Sequence, residues 1–197
     1  MHKFLKIKNN LVHPTAIINW KKIKIGKNNV FGPYVDVVNF PQWPKKKSKG
    51  LIYIGNNNKF NEYCNVHLPT NLTKKTIIGN NNYFMNSTTI DHDCVIENNV
   101  TLSSNVILGG NIHIMKHANV GIKTIIHQNQ LIGSYSMIGM GSIVTKKIKI
   151  EPGYIFYGKP VKRIKKNLIS LKKNKINKLA LLSERKRFDK LLKNKKK

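Results

Sequence analysis

The sequence predicts an all-β solenoid, a parallel β-helix of hexapeptide repeats, and three observations support this prediction. First, an aliphatic or aromatic residue stands at every sixth position from Ile78 to Phe156. Second, neither a helix, with a period of 3.6, nor a long strand, with a period of 2, produces a strict period of six. Third, Gly and Asn recur shortly after these positions, and both tolerate the positive φ angles of sharp corners.

Each hexad is expected to form one short strand and one corner, so that three hexads, about 18 residues, close one triangular coil. The first residue of each hexad should point inward and build a continuous apolar stack. The same register recurs earlier in the chain, at Ile25, Phe31 and Val37 and again at Ile54, Phe60 and Val66. The stack after these comprises Ile78, Phe84, Ile90, Ile96, Leu102, Leu108, Ile114, Val120, Ile126, Ile132, Ile138, Val144, Ile150 and Phe156.

Two interruptions of the period predict loops that extrude from the coil. The spacing between Val37 and Ile54 is not a multiple of six, and the segment between them contains Pro41 and Pro44. The second interruption runs from Pro69 to Lys75. We therefore expect a β-helix over residues 1–160 with extruded loops near 39–50 and 68–76. Loops of this kind often line binding sites in solenoid proteins.

A basic helical tail is expected over residues 161–197. The hexads stop after Pro160, and apolar residues then follow at roughly helical intervals among many lysines. The helices could pack on the end of the solenoid or at a subunit contact. Alternatively, they could dock an acidic carrier protein or a membrane surface.

The composition limits the classes of partner. The 197 residues carry a net charge of +28, but the lysines are spread along the chain and no nucleic-acid-binding fold is recognisable. Abundant Lys, Asn and Ile together indicate a compositional bias of the source genome. We therefore predict no nucleic-acid partner, although a basic surface would attract anionic small molecules or an acidic carrier protein.

Localisation is predicted to be cytoplasmic. No apolar run approaches the ~20 residues of a transmembrane helix, so no integral membrane segment is expected. The first residues lack the apolar core of a signal peptide. The cysteines, Cys64 and Cys94, both occupy the fifth hexad position, where small interior residues recur. Buried interior thiols are the leading interpretation, with a disulfide or a catalytic thiol as alternatives.

A step of three hexads brings candidate catalytic groups into one column. His92, Gly110 and Gln128 share a column, and Asp91, Gly109 and His127 share the adjacent one. Neutral His92 can accept a proton from a nucleophile, and a nearby carboxylate, first of all Asp93, can fix its tautomer. The Gly110 N–H can stabilise an oxyanion. These groups suit acyl transfer, whereas metal-ligand spacings are missing around them.

The same segments resemble the UDP-N-acetylglucosamine O-acyltransferase family that begins lipid A synthesis. The resemblance lies in Thr89–Cys94, Leu108–Asn111 and Ile126–Gln128, with further likeness in Val12–Ile17 and Asn65–His67. It covers roughly residues 12–150. It implies a left-handed coil, a homotrimer with active sites between subunits, and surface glycan or glycolipid synthesis. The donor would be a thioester co-substrate, with no bound cofactor and no metal.

The resemblance also assigns roles to individual residues. His92 matches the family's general base, Asp93 its dyad neighbour, and Gly110 its oxyanion donor. Thr89 and Asn111 replace two further active-site histidines of the family. The residues expected to contact the sugar, nucleotide or acyl group are His127, Gln128, Asn111, Thr89, His67 and Gln42.

The sequence is also compatible with other functions. The turn Gly158–Lys162 resembles the end of the β-helix in acetyl-CoA-dependent sugar O- and N-acetyltransferases, so the donor is either an acyl carrier protein or a coenzyme A thioester. A non-catalytic scaffold is a further alternative. So is a carbonic-anhydrase-like protein using His113, His117 and His127, although these three occupy different hexad positions.

Overall fold

The computed structural model describes residues 4–42 and 48–195 and shows a solenoid of short strands followed by two helices. The first strands are β1 (Leu5–Ile7), β2 (Asn10–Val12), β3 (Ile17–Ile18), β4 (Ile23–Ile25), β5 (Val30–Phe31), β6 (Asp36–Asn39), β7 (Leu51–Ile54), β8 (Lys59–Phe60), β9 (Asn65–His67), β10 (Lys75–Ile78) and β11 (Tyr83–Phe84). The strands that follow are β12 (Thr89–Ile90), β13 (Val95–Ile96), β14 (Thr101–Leu102), β15 (Ile107–Leu108), β16 (His113–Ile114), β17 (Asn119–Val120), β18 (Ile125–Ile126), β19 (Leu131–Ile132), β20 (Met137–Ile138), β21 (Ile143–Val144), β22 (Tyr154–Gly158) and β23 (Val161–Lys166). The helices are α1 (Leu168–Lys173) and α2 (Lys178–Asn194), and Trp20–Lys22 form a short 3-10 turn.

Three sheets form the faces of the coil, and successive coils pair in parallel. Their strand orders are β1-β2-β5-β8-β11-β14-β17-β20-β22-β23, β19-β16-β13-β10-β7-β4 and β21-β18-β15-β12-β9-β6-β3. Val95 pairs with His113, and His113 pairs with Leu131, so neighbouring coils are offset by three hexads. Only the outer pairs of the first sheet, β1 with β2 and β22 with β23, are antiparallel among the described strands. The three-hexad coil expected from the sequence is therefore the observed repeat.

The core is the inward-facing stack that the period of six predicts. The first residues of the hexads from Phe31 to Phe156 are buried and form one continuous cluster. Near the N-terminus the stack is aromatic: the rings of Phe31 and Phe60 lie parallel with centroids 4.9 Å apart, and Phe84 follows at 4.8 Å from Phe60. Aliphatic residues fill the later coils, so the interior is close-packed along its length.

An internal ladder of asparagines explains part of the Asn content. The side-chain oxygen of Asn10 accepts the backbone N–H of Asn29 at 2.8 Å, and the oxygen of Asn29 accepts that of Asn58 at 2.8 Å. Asn58 does the same for Asn82, whose oxygen accepts the N–H of Val100 at 2.7 Å. Each buried amide thus satisfies a backbone donor of the next coil, which would otherwise be costly to bury.

The corners follow the prediction for Asn but not for the glycines at the second hexad position. From Asn81 to Gly153, the left-handed conformation recurs at every sixth residue, which is the fourth position of the hexad. The second-position glycines serve a different need, close approach between coils: a Cβ on Gly55 would lie 2.6 Å from the carbonyl oxygen of Gly79. Asn is therefore common at the true corner because it tolerates φ > 0.

Both interruptions of the period correspond to connections that leave the coil. The first lies between the end of β6 at Asn39 and the start of β7 at Leu51, and residues 43–47 of the predicted loop lie outside the described residues. The second lies between His67 and Lys75. It is shorter than the predicted 68–76, because Lys75 and Thr76 already pair with Leu51 and Ile52 in β7.

The C-terminal segment begins as a strand, not a helix. Residues 161–166, assigned to the helical tail from the sequence, form β23 and pair back onto β22. Helix α2 then packs along the coil, with Phe188 buried beside Met115 and Leu131. Neither described helix is long and apolar enough to cross a bilayer. Cys64 and Cys94 are buried free thiols, and burial raises their pKa values to about 11 and about 12.

Candidate active site

His92 and Asp93 form a hydrogen-bonded pair at the corner that follows β12. Asp93 occupies the fourth position of its hexad and has φ of 61°. His92 Nδ1 lies 2.7 Å from Asp93 Oδ2, and both residues are buried. The side chain of His92 keeps 10% of its surface exposed, so a substrate can reach the ring.

The second extruded loop surrounds the Asp93 carboxylate with donors. The Thr70 hydroxyl donates to Oδ2 at 2.7 Å, the Thr70 N–H lies 3.2 Å from both oxygens, and the Thr73 hydroxyl donates to Oδ1. The Asp93 N–H donates to the Thr76 hydroxyl. Burial alone would raise the pKa of Asp93, but the hydrogen bonds from His92, Thr73 and Thr70 lower it to about 2. Asp93 is therefore a fixed anion.

This anion determines the state of the imidazole. The hydrogen bond to Asp93 raises the pKa of His92 above its ordinary value of 6.5, against the lowering effect of burial, and the charge of Asp91 adds to the increase. Because a carboxylate only accepts hydrogen bonds, neutral His92 carries its proton on Nδ1. Its Nε2 is then the basic atom.

A second carboxylate joins His67 to the same corner. Asp91 Oδ1 lies 2.9 Å from His67 Nδ1 and accepts the backbone N–H of His92 at 2.7 Å. Burial opposes ionisation of Asp91, but these hydrogen bonds lower its pKa. His67 is buried at the end of β9. Although the sequence assigns His67 to substrate contact, its Nδ1 is engaged with Asp91.

Gly110 supplies the surface on which the His92 ring rests. A Cβ at Gly110 would lie within 2.8 Å of Cε1, Nε2 and Nδ1 of His92, so no other residue fits without moving the ring. The neighbouring amides are used within the coil: Gly109 donates to Ile126 at 3.0 Å and Asn111 donates to His92 at 2.8 Å. Within residues 4–42 and 48–195, the Gly110 N–H donates to no acceptor. That donor therefore remains available beside the basic atom.

His127 and Gln128 lie on the same corner, one coil further on. Both are exposed, and they line a cavity of about 500 Å³ together with Lys146, Lys147, Lys149 and Lys195, among others. The ammonium group of Lys195 donates to the carbonyls of Asn111 and Gln130. Burial lowers the pKa of Lys195 to about 8. The cavity continues the His92–Gly110 column and has a cationic wall.

The remaining predicted residues lie around the dyad or on the first loop. Thr89 is half-buried in β12, three residues before His92, and faces outward. The exposed Asn111 side chain donates to Asn129 at 2.8 Å, one rung of an external amide ladder. Gln42 is exposed beside the undescribed part of the first loop. The structure thus brings together His92, Asp93, Gly110 and His67, and the roles of these residues and of Gln42 stay predictions.

Sequence reasoning did not assign roles to Thr70, Thr73 and Thr76. Their segment was identified only as an interruption of the repeat. The feature that could have indicated these roles is the pair of hydroxyl side chains in the segment Thr-Asn-Leu-Thr at 70–73, which can donate hydrogen bonds. Asp91 was placed in a neighbouring column, but its bridge to His67 depends on the longer, four-hexad step between these coils.

The histidines considered for a metal site lie apart. His113 Nε2 lies 2.7 Å from Glu97 Oε1, and the His117 ring stacks on Tyr135 with centroids 5.0 Å apart. In the described part of the chain, no three His, Cys, Asp or Glu side chains are grouped as metal ligands. Within one chain, the described residues therefore do not bring together the ligands of a carbonic-anhydrase-like metal centre.

Comparisons with known proteins agree with this architecture. Residues 75–110 match the family model described as bacterial transferase hexapeptide (six repeats). Over 129 residues the chain is 35% identical to the acyl-(acyl-carrier-protein)–UDP-N-acetylglucosamine O-acyltransferase of Aliarcobacter butzleri, covering 63% of this chain and 48% of that protein. The corresponding protein of Helicobacter pylori is 35% identical over 126 residues, covering 63% and 47%. The chain therefore spans about half the length of these curated relatives.

A solved structure extends the likeness to most of the chain. The UDP-N-acetylglucosamine acyltransferase LpxA of Bacteroides fragilis superposes with a TM-score of 0.81 at 27% identity, covering 90% of this chain and 69% of that one. The left-handed parallel β-helix expected from the resemblance is thereby confirmed, as is the short helical C-terminus. The resemblance to hexapeptide-repeat acyltransferases is confirmed as well.

Proposed function

We propose that this protein is an acyltransferase that moves an acyl group from a thioester donor to a hydroxyl or amine of a nucleotide sugar such as UDP-N-acetylglucosamine. The observation that carries the proposal is the His92–Asp93 pair resting on Gly110. In this arrangement Asp93 fixes the tautomer of the base, His92. The Gly110 N–H lies beside the ring and has no acceptor among the described residues. The names of the relatives support this reaction class and acceptor.

In the first step, His92 Nε2 accepts the proton of the acceptor hydroxyl or amine as its oxygen or nitrogen attacks the thioester carbonyl carbon. The imidazolium that forms is stabilised by Asp93, whose pKa of about 2 keeps it ionised throughout. Because Asp93 holds Nδ1 at 2.7 Å, the ring need not reorient during the transfer. A positioned general base of this type typically contributes about 10²–10⁴-fold to the rate.

The second step is collapse of the tetrahedral intermediate. The Gly110 N–H donates to the oxyanion, which develops next to the imidazole because the ring lies directly over Gly110. The carbon–sulfur bond then breaks, and His92 returns its proton to the departing thiolate. The products are the acylated sugar and a free thiol, and the base is restored for the next turnover. No bound cofactor enters this sequence, since the donor acts as a co-substrate.

The donor is either an acylated acyl carrier protein or an acyl-coenzyme A. The first is favoured because the relatives at 35% identity carry acyl carrier protein in their names. The cavity beside Gln128, with Lys146, Lys147, Lys149 and Lys195 on its wall, suits an anionic donor of either type. The Gly158–Lys162 turn is the feature that keeps acetyl-coenzyme A as the alternative.

A homotrimer belongs to the same proposal. The outward face of the sheet that carries β12 bears Ile107 and Ile125, both close to half exposed, directly beside the dyad. A second copy covering this face would enclose His92 and exclude water from the reaction. A cytoplasmic location is also proposed, because Cys64 and Cys94 are free thiols.

The test is an assay of thiol release with UDP-N-acetylglucosamine and either acyl carrier proteins bearing different chains or acetyl-coenzyme A. The intact protein should release thiol with one donor class, and His92→Ala should lower kcat/KM by at least ~10²-fold. His117→Ala, a histidine change on another corner, serves as the matched control with unchanged turnover. Full activity of folded His92→Ala would contradict the mechanism, and no release with any donor would contradict the function.

A further inference from the structure

The C-terminal end of the solenoid exposes apolar side chains among lysines. Ile169 is 80% exposed, Leu179 76% and Leu168 58%. We call this surface the terminal cap. It consists of the exposed apolar residues of β23, α1 and α2 and the lysines between them: Ile164, Leu168, Ile169, Leu179, Leu182, Lys162, Lys165, Lys166, Lys172, Lys178 and Lys186.

The three elements of the terminal cap adjoin one another at the last coil. Lys166 of β23 and Lys178, Leu182 and Arg185 of α2 line a common hollow of about 170 Å³. Both helices are held against the last coil. Leu171 and Leu181 approach Gly153, where a Cβ would lie 2.9 Å from a Leu181 methyl group and 3.7 Å from one of Leu171. The exposed apolar side chains therefore belong to a fixed platform.

The charge of this platform has one sign. Residues 162–186 contain ten Lys and Arg and one acidic residue, Glu184. Glu184 faces the coil, where it accepts from Ser134 at 2.9 Å and pairs with Lys116 at 2.8 Å. Its side chain is only 13% exposed, so it does not offset the outward lysines. The outer side of the terminal cap is cationic and apolar together.

This composition favours one kind of partner. A second copy would present the same cations, and like charges repel. Protein interfaces are enriched in aromatic residues, Met and Arg and depleted of Lys, whereas the terminal cap offers Leu, Ile and Lys. Leucine-rich apolar side chains with a lysine-rich polar face are typical of segments that lie in a membrane interface. Anionic headgroups would pair with the lysines while Leu and Ile enter the acyl boundary.

We propose that the terminal cap docks the protein onto an anionic lipid surface. The apolar side chains of Leu168, Ile169, Leu179 and Leu182 insert, and the surrounding lysines bind headgroup phosphates. The His92 corner is not part of the contact. The docking therefore goes beyond the proposed acyl transfer and does not depend on it.

Vesicle sedimentation of the whole chain tests the proposal. Binding should be strong to vesicles containing phosphatidylglycerol and weak to pure phosphatidylcholine. Leu168→Ser with Ile169→Ser should weaken binding by about tenfold or more, because two inserted side chains are lost. Ile17→Ser is the matched control, since Ile17 is 66% exposed at the other end of the coil. Thiol release should remain unchanged in both variants.

A second measurement separates insertion from simple charge attraction. Ile169→Trp should show a blue-shifted emission on adding phosphatidylglycerol vesicles, and Ile17→Trp should not. Binding that is abolished by salt but insensitive to the serine changes, with no emission shift in Ile169→Trp, would overturn the proposal. So would equal binding to phosphatidylcholine. Capture of an acidic protein in place of vesicles, lost in the same serine variant, would overturn it by assigning the surface to a protein partner.

Discussion

At the scale of single residues, the proposed chemistry of the site depends on a carboxylate at a corner position that is Asn more often than any other residue. The fourth hexad position is Asn at 81, 99, 105, 111 and 129, each with positive φ. Asp93 accepts the same left-handed backbone, so the fold tolerates it without a new loop. Its charge, directed at His92 and surrounded by Thr70 and Thr73, makes this corner the proposed site of proton transfer.

Asp93→Asn should therefore change the pH dependence without unfolding the corner. The carboxylate raises the pKa of His92 above 6.5, so the catalytically useful neutral form appears only as the pH rises through that raised value. Asparagine removes the increase, and the acidic limb of kcat/KM should move to lower pH. The rate on the plateau should fall by about 10²-fold, because the tautomer is no longer fixed. The measurement is kcat/KM across the pH range.

The control for this change is Asp189→Asn, which removes an exposed carboxylate of α2 that lies beside Glu151 and Arg163 near the end of the coil. Its profile should match that of the unaltered protein. An acidic limb that stays in place in Asp93→Asn, together with an unchanged plateau, would show that Asp93 does not act through His92.

The site was predictable where the repeat determines position and unpredictable where the chain leaves the repeat. His92 and Gly110 are three hexads apart in the sequence, and the ring of one does lie on the other. Thr70 and Thr73 reach Asp93 from an extruded loop, whose path no period describes. Gln42 belongs to the other extruded loop, so the repeat could not position it either. Loop residues are positioned by local hydrogen bonds that a periodic pattern does not contain.

At the scale of elements, the period of six predicted the coil but not the role of each corner residue. Glycine at the second position suggested the bend itself. In the structure, Gly79 and Gly121 are required because the next coil passes too close for a Cβ. Both needs, positive φ and close approach, select small or flexible residues, so composition alone cannot distinguish them. The strand β23 was missed because its two apolar residues, Val161 and Ile164, stand three apart, which is a helical spacing.

A half-buried carboxylate of the coil, Glu97, is one of the groups that hold helix α2 in place. Glu97 lies 2.7 Å from His113 Nε2, accepts the Lys116 N–H at 3.0 Å and forms two hydrogen bonds with Arg187 of α2. Burial alone would raise the pKa of Glu97, but the hydrogen bonds from His113 and Arg187 lower it from 4.5 to about 2. Glu97 is therefore one electrostatic attachment point of the helix, and the Glu184–Lys116 ion pair is another.

Glu97→Gln should loosen α2 at a cost of about 2 kcal/mol, the usual value of a hydrogen bond to a charged group. Because the folded pKa is depressed, the stabilisation is complete above about pH 4.5 and is lost as the pH falls towards about 2. Hydrogen exchange of Lys178–Asn194 should accelerate in the variant at neutral pH and in the unaltered protein only at acid pH. Glu62→Gln, at an exposed corner, should leave exchange unchanged. Equal protection of α2 in both variants would contradict the assignment.

At the scale of the whole molecule, the two proposed functions lie at different positions along the axis of the solenoid. The dyad lies on a corner in the middle of the coil, and the terminal cap lies at its end. Helix α2 runs between them, from Leu179 in the terminal cap to Lys195 at the carbonyl of Asn111. Each coil contacts only its neighbours, as in other repeat proteins, so a change at one end should leave the other end unaffected energetically.

Double-mutant cycles on the core test this nearest-neighbour organisation. Phe31 and Phe60 stack at 4.9 Å, whereas Phe31 and Val144 lie in coils near opposite ends. Phe31→Leu, Phe60→Leu and Val144→Ala should each lower the free energy of unfolding by about 1–2 kcal/mol. The Phe31–Phe60 double variant should lose about 1 kcal/mol less than the sum, because either single change already removes the stacking. The Phe31–Val144 double variant should be additive within about 0.5 kcal/mol.

Urea unfolding of all five variants measures both coupling energies. A Phe31–Val144 coupling as large as the Phe31–Phe60 coupling would mean that the solenoid transmits packing strain along its whole length.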